Sequence, residues 1–200
     1  MLLMGLFCLA QEVEFCGSLN TSSVINYQNA YGIGLQYQHD ISQKFKVGFG
    51  IHYNFKNSNF IKEFEDIDGS APHWVENTNS KSRRFSIRLN IQRLVRDNEN
   101  LSISLGPEIS YNYLWGKDNI SSWSGGSYRK NFMRNIDLVK LFGIGLISKI
   151  EIKDFIKPRL SLCLTARPEI VTNLIFKRSE NSGETAFVEF QIGIKYRFKK

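Results

Sequence analysis

The sequence predicts an all-β protein, an eight-stranded antiparallel up-and-down transmembrane β-barrel. Three observations lead there. Apolar and polar residues alternate with a period of two in eight successive segments, as in strands with one greasy and one polar face. Aromatic residues gather at both ends of the greasy face, while aliphatics fill its middle, as at the two boundaries of a bilayer. The opposite face carries charges and glycines, so a barrel built from these strands has lipid outside; a soluble lipid-binding barrel reverses that polarity.

Composition fits. Two hundred residues suit one domain. Mean hydropathy is slightly negative, and no run of about 18 apolar residues suggests a helical span. The net charge of +7 comes from dispersed basic residues, so no nucleic-acid partner is expected. Met1 to Ala10 is apolar and ends in Cys8-Leu9-Ala10 before Gln11. Residues 1–10 therefore read as the remnant of a secretory signal peptide, lacking a positive n-region. Residues 11–200 read as a single barrel domain.

The first strand, Val13 to Val24, is the least regular. The second, Tyr31 to His39, shows Tyr31, Ile33, Leu35 and Tyr37 on one face. The third, Lys44 to Phe55, alternates from Phe45 through Val47, Phe49, Ile51 and Tyr53 to Phe55. The fourth, Arg84 to Leu94, carries Phe85, Ile87, Leu89 and Ile91. The fifth, Leu101 to Trp115, carries Leu101, Ile103, Leu105, Ile109, Tyr111, Tyr113 and Trp115. The sixth, Leu138 to Ile152, carries Phe142, Ile144, Leu146 and Ile150. The seventh, Arg159 to Leu174, carries Leu160, Leu162, Leu164 and Ile170. The eighth, Ala186 to Phe198, alternates without a break.

Connections alternate in length. Asp40–Gln43, Arg96–Asn100 and Lys153–Lys157 are short, whereas Asn57–Lys81 and Gly116–Asn135 read as long loops. Tight turns at one end and long loops at the other form the plan of a bacterial outer-membrane barrel, with turns and both termini periplasmic. Leu101–Ile109 and Leu160–Ile170 echo one another, and Pro107 and Pro168, lacking a ladder donor, predict bulges.

Parity turns Lys46, His52, Arg84, Arg88, Glu108, Lys149, Glu151, Arg159, Arg167, Glu169, Glu189, Lys195 and Arg197 inward. Buried charges must pair, and register predicts Arg88 opposite Glu108, Glu151 opposite Arg159, and Arg167 opposite Glu189. Gly32, Gly34, Gly48, Gly50, Gly143 and Gly145 leave room for the long side chains. An eight-stranded barrel is just wide enough for side chains to fill, so a plugged, salt-bridged interior is expected. The alternative is a narrow solute or ion channel along Arg88, Glu108, Arg167 and Glu189. Cys16 and Cys163 read as free buried thiols, because their strands are not neighbours.

The strand pattern, Gly48–Ile51, Phe142–Gly145, Gly-Pro-Glu-Ile at 106–109 and the closing Tyr196-Arg197-Phe198 resemble the small outer-membrane β-barrels of OmpA/OmpX type, in the flavour common in Bacteroidetes. The resemblance implies outer-membrane residence and contact with outer-membrane lipid and lipopolysaccharide. It also implies delivery by the outer-membrane assembly machinery, with Phe198 as the terminal aromatic signal, although Lys199 and Lys200 follow it. Its members share no catalytic activity and include adhesion, stability and secretion-accessory proteins.

Candidate interaction residues lie in the expected loops: Trp74 in the acidic first loop, and Trp123, Tyr128, Arg129 and Lys130 in the basic second. They predict contact with a surface protein or glycan, or loop–loop pairing. Asp66-Ile-Asp68-Gly69 resembles half a calcium loop but lacks the remaining ligands, so no metal or cofactor is expected. His39, His52 and His73 have no Ser and acid partners in reach, so no catalytic residues and no lipid-A-modifying enzyme are expected. The reading is a structural or interaction protein.

Overall fold

The computed structural model of the chain describes residues 12–22, 29–64, 74–124, 127–173 and 185–198. Its eight strands are β1 (Glu12–Ser22), β2 (Ala30–Asp40), β3 (Phe45–Phe64), β4 (Trp74–Asp97), β5 (Leu101–Ser124), β6 (Ser127–Ile152), β7 (Leu160–Asn173) and β8 (Thr185–Arg197). Each pairs antiparallel with the next, and β8 returns to β1 to close the barrel. The closing ladder runs from Glu12↔Arg197 to Ser22↔Phe187. Closure leaves the transmembrane wall without an edge, which is how a strand protein satisfies its backbone in hydrocarbon.

The alternation sets the two faces. Phe15, Ile33, Leu89, Ile91, Ile109, Ile144 and Ile192 are exposed on the outside, while Arg84, Arg88, Arg167 and Lys195 are nearly inaccessible inside. Aromatic contacts mark the upper boundary, where Tyr53 meets Trp115 at 6.2 Å and Phe85 meets Tyr113 at 6.3 Å between ring centroids. At the lower boundary Tyr196 and Phe198 meet edge-on at 5.1 Å. Tyr37 has outward parity but is almost covered, its ring stacked on Phe49.

The short turns lie at the same end as both described termini. Ile41 N–H donates to Phe45 O and Asn98 N–H to Leu101 O across two of them. In the third, Asp154 and Arg159 take positive φ (51° and 78°), and the Arg159 N–H donates to Asp154 Oδ1. Lys153 ties this turn to its neighbour through Asp97, 2.6 Å away.

Two expectations are corrected. Asn57–Lys81 and Gly116–Asn135 are not long loops: β3 to β6 run on as continuous hairpins, pairing out to Phe64↔Trp74 and Ser124↔Ser127. Nor is there a register shift at Pro107 or Pro168. The β4–β5 ladder is interrupted between Asn90↔Glu108 and Arg93↔Leu105, and the β6–β7 ladder between Gly145↔Glu169 and Ser148↔Ala166, with register kept on both sides. A missing donor deletes ladder bonds without requiring an extra residue. The bulge in this part of β4 falls instead between Leu94 and Arg96. Beside the Pro107 gap a cavity of about 350 Å³ opens, lined by Val47, Leu89, Asn90, Ile91, Pro107, Glu108 and Ile109.

Candidate functional site

Two features stand out: the filled lumen and the sheet that continues beyond the barrel.

Inside, Lys46, Arg84, Arg88, Lys149, Arg167 and Lys195 are buried together with Glu12, Glu14, Glu108, Glu151, Glu169 and Glu189. Six cations meet six carboxylates among the described residues, so the lumen is neutral overall. Most ion pairs cross it. Arg88 on β4 reaches Glu189 on β8, the opposite strand of the ring, at 2.6 Å. Arg84 meets Glu169 on β7 at 2.5 Å, Arg167 pairs with Glu108 on β5, and Lys149 on β6 pairs with Glu14 on β1. At the turn end Lys46 and Lys195 both reach Glu12 at 2.9 Å, and Lys195 also pairs with Glu151. Arg197, half exposed at the mouth, adds contacts to Glu12 and Glu151.

Amides fill the gaps. Gln36 accepts from Arg167 Nη2 at 2.7 Å, and Gln38 accepts from Lys149 Nζ at 3.3 Å. Gln191 donates to Glu189 at 2.7 Å and accepts from Arg167 Nε at 3.1 Å. Asn112 donates to Glu169 and accepts from Arg84 Nε. The glycines act as expected: a Cβ on Gly34 would collide with the His52 ring, and one on Gly143 with the Glu169 carboxylate. At the far end of the network Phe187 and Val171, packed with Leu114 and Leu141, form a small apolar cap. The Arg84 guanidinium lies 4.3 Å from the Phe187 ring centre, a cation–π contact that joins cap to network.

The predicted interior residues Arg88, Glu108, Glu151, Arg167, Glu169, Glu189 and Lys195 all belong to this network. Arg159 does not: it sits in the β6–β7 turn, partly exposed, and Glu151 turns to Lys195 and Arg197 instead. Arg167 and Glu189 are cross-strand partners as expected, but their charges pair elsewhere, across the lumen. Arg88 approaches Glu108 at 3.5 Å but not in the expected register: it stands opposite Ser110, and Glu108 stands opposite Asn90. Glu12 and Glu14 were missed. The predicted inward set held eight Lys and Arg against four Glu, and that imbalance was the signal for absent carboxylates.

Outside, β3 to β6 contain 20, 24, 24 and 26 residues, against 11 to 14 for the other strands. Their extensions form a four-stranded sheet standing beyond the aromatic belt. Nine residues of β5, from Gly116 to Ser124, carry it roughly 30 Å at about 3.3 Å per residue. The inner face holds buried Thr78, Ser80, Ser82 and Ser122. Trp123 lies on the outer face near the tip, half-buried. Trp74 belongs to the β4 backbone and Tyr128, Arg129 and Lys130 to β6; their side chains lie outside the described set, as do residues 1–10, His73 and the Asp66–Asp68 segment. Phe198 follows β8 and is exposed.

No protein-family model matches the chain, and no curated protein matches it. Solved structures do. Ail, the attachment invasion locus protein of Yersinia pestis, aligns with 94% of this chain and 97% of its own, at 16% identity and a TM-score of 0.50. Neisserial surface protein A aligns with 94% of this chain and 96% of its own, at 12% identity and a TM-score of 0.56. In fold, the chain is an eight-stranded antiparallel β-barrel similar to these small outer-membrane proteins.

Proposed function

We propose that this chain is an outer-membrane structural and interaction protein. A sealed barrel holds the projecting sheet outside the cell, where an adhesion or accessory partner contacts it. The observation that carries this reading is the pairing of a lumen packed with neutralised charge and four strands that continue past the membrane. A pore leaves its charges facing water, whereas these face one another. The reading assigns no chemistry to the lumen, no cofactor and no metal.

Orientation follows the usual plan, with short turns periplasmic and hairpins external. Phe198 is proposed as the terminal aromatic met by the assembly machinery.

The test is conductance. Refolded full-length protein in planar bilayers should give no ohmic steps, while shortening the β5–β6 hairpin beyond Lys117 and Asn135 should abolish any contact-dependent surface phenotype and leave the heat-dependent gel shift intact. Steady conductance altered by Arg88→Gln would overturn the sealed-lumen reading in favour of a channel.

A further inference from the structure

The two proline gaps fall at one level of the wall. The β5–β6 register sets Pro107 opposite Leu146 and Gly106 opposite Ile147. The β4–β5 register, carried from Asn90↔Glu108 to Arg93↔Leu105, brings Ile91 to Pro107 and Gln92 to Gly106. The β6–β7 register, carried from Gly145↔Glu169 to Ser148↔Ala166, brings Leu146 to Pro168 and Ile147 to Arg167. One outward row therefore reads Val47–Ile91–Pro107–Leu146–Pro168–Val188. It is paired at both ends and in the middle, and broken on each flank of the β5–β6 pair.

Each proline faces its partner without an N–H to give, and hydrocarbon offers no substitute donor. Gly106, Pro107, Leu146 and Ile147 have no polar side chain, so none of them makes up the loss. The backbones crowd where rungs are missing: a Cβ on Gly106 would run into Ile91 O, and one on Gly145 into Pro168 O. The bonds that bridge the level come from luminal side chains. Ser104 Oγ donates to Gln92 at 2.7 Å, and Asn90 Nδ2 to Glu108 at 3.2 Å, tying β4 to β5. Arg167 of β7 reaches past β6 to Glu108 of β5, over Gly145, which stands between Glu108 and Glu169 without a side chain. Gln191 and Gln36 hold its Nε and Nη2 at 3.1 and 2.7 Å.

We infer that this level is a latched seam: a weak joint at which the β5–β6 pair shifts outward against β4 and β7, held shut from the lumen by the Arg167–Glu108 ion pair. Outward is the open direction. Inside, Ile147 is fully buried and the charged network fills the bore, whereas outside the cavity of about 350 Å³ already lies over the first gap. Continuous ladders above and below hold the ring closed, so the seam parts without unfolding the barrel. The same pair of strands carries the outer tip, Ser124↔Ser127, so the wall yields beneath the arm that meets the outside. The seam depends on the closed barrel and not on what the outer sheet contacts.

The test is residue-resolved amide exchange by nuclear magnetic resonance on the refolded full-length protein in phospholipid bicelles. Corrected for intrinsic rates, Ile91 and Leu146 should exchange about tenfold faster than Leu89 and Ile144, which lie one row above on the same strands in intact ladders. Pro107→Val and Pro168→Val, which restore the missing N–H groups, should each bring the facing amide to the rate of its neighbours. Arg167→Met should speed Ile91 and Leu146 about tenfold further and leave Leu89 and Ile144 unchanged. Lys46→Met, a charge lost elsewhere in the lumen, should leave the ratio between the rows as it is. If Arg167→Met gives no heat-dependent gel shift, Glu108→Gln replaces it with the same expectation. Equal rates across the rows in the wild type overturn the seam, as do proline variants that change nothing. A latch variant that raises all these amides alike or none, or does no more than Lys46→Met, overturns the latch.

Discussion

Replacing Arg88 with Met tests whether the lumen is the sealed network described above. Arg88 Nη2 lies 2.6 Å from Glu189 and 3.6 Å from Glu169, and Nη1 lies 3.5 Å from Glu108. Met fills the space of the aliphatic stem but leaves Glu189 with a Gln191 amide at 2.7 Å and the His52 ring at 3.7 Å. Stripping one partner from a buried pair costs about 3–5 kcal/mol, mostly through the uncompensated charge that remains. Arg84 still neutralises Glu169, so the loss falls mainly on Glu189. Adding Glu189→Gln removes that charge while keeping shape and an amide for Gln191. The double variant should therefore recover about 2–3 kcal/mol relative to additivity, a coupling characteristic of residues in one network. The assay is urea titration of refolded protein in phospholipid vesicles, read by the heat-dependent gel shift and far-ultraviolet circular dichroism for all four members of the cycle. Single variants within about 0.5 kcal/mol of wild type, the range of ordinary exposed substitutions, would refute the reasoning, because they would mean that water already solvates Glu189.

Two further outcomes follow from the same packing. Gly34→Val should destabilise by about 1–3 kcal/mol in the same titration, since its Cβ runs into the His52 ring and the Cys16 sulfur; Gly17→Val, with open space around it, should stay within about 0.5 kcal/mol. Cys16 and Cys163 both partner Gly193, so they sit two strand spacings apart, roughly 9–10 Å, beyond the ~7 Å reach of a disulfide. Their thiols should stay free and resist a water-soluble maleimide until the barrel unfolds, and fast labelling of the folded protein would show an open lumen.

The barrel was legible because one rule, alternation, repeats in every spanning segment. Phe45 to Phe55 and Val188 to Phe198 each state which face meets lipid; register was not so legible, because the bulge between Leu94 and Arg96 and the wider turn set Arg88 opposite Ser110 rather than Glu108. Charge placement was equally legible: Arg84, Arg88, Glu108, Glu169 and Lys195 went inward by parity alone. Their partners were not. Cross-strand reasoning assigns neighbours on adjacent strands, but long side chains in a narrow barrel reach across it, as Arg88 does to Glu189. The projecting hairpins were hidden for another reason. Asn77 to Ser82 alternates between amide or ammonium groups on one face and hydroxyls on the other, so both faces are polar and the hydrophobic period vanishes. Arg159 was misplaced because a positive-φ turn breaks the parity that its neighbours obey.

The ion pairs at the turn end join the two ends of the chain. Lys195 meets Glu12 across 183 positions of sequence, and Lys149 meets Glu14 across 135. Glu12 already meets Lys46 on β3, but it completes its pairing only when β8 brings Lys195, and Glu14 meets Lys149 only when β6 is in place. Contacts so distant in sequence are late and slow to form, and until Lys149 arrives the Glu14 carboxylate requires water. The last strand therefore does two things at once: it closes the backbone ring against β1, and it carries Lys195 to both Glu12 and Glu151, so that one ammonium ties the first strand, the sixth and the eighth together at the mouth.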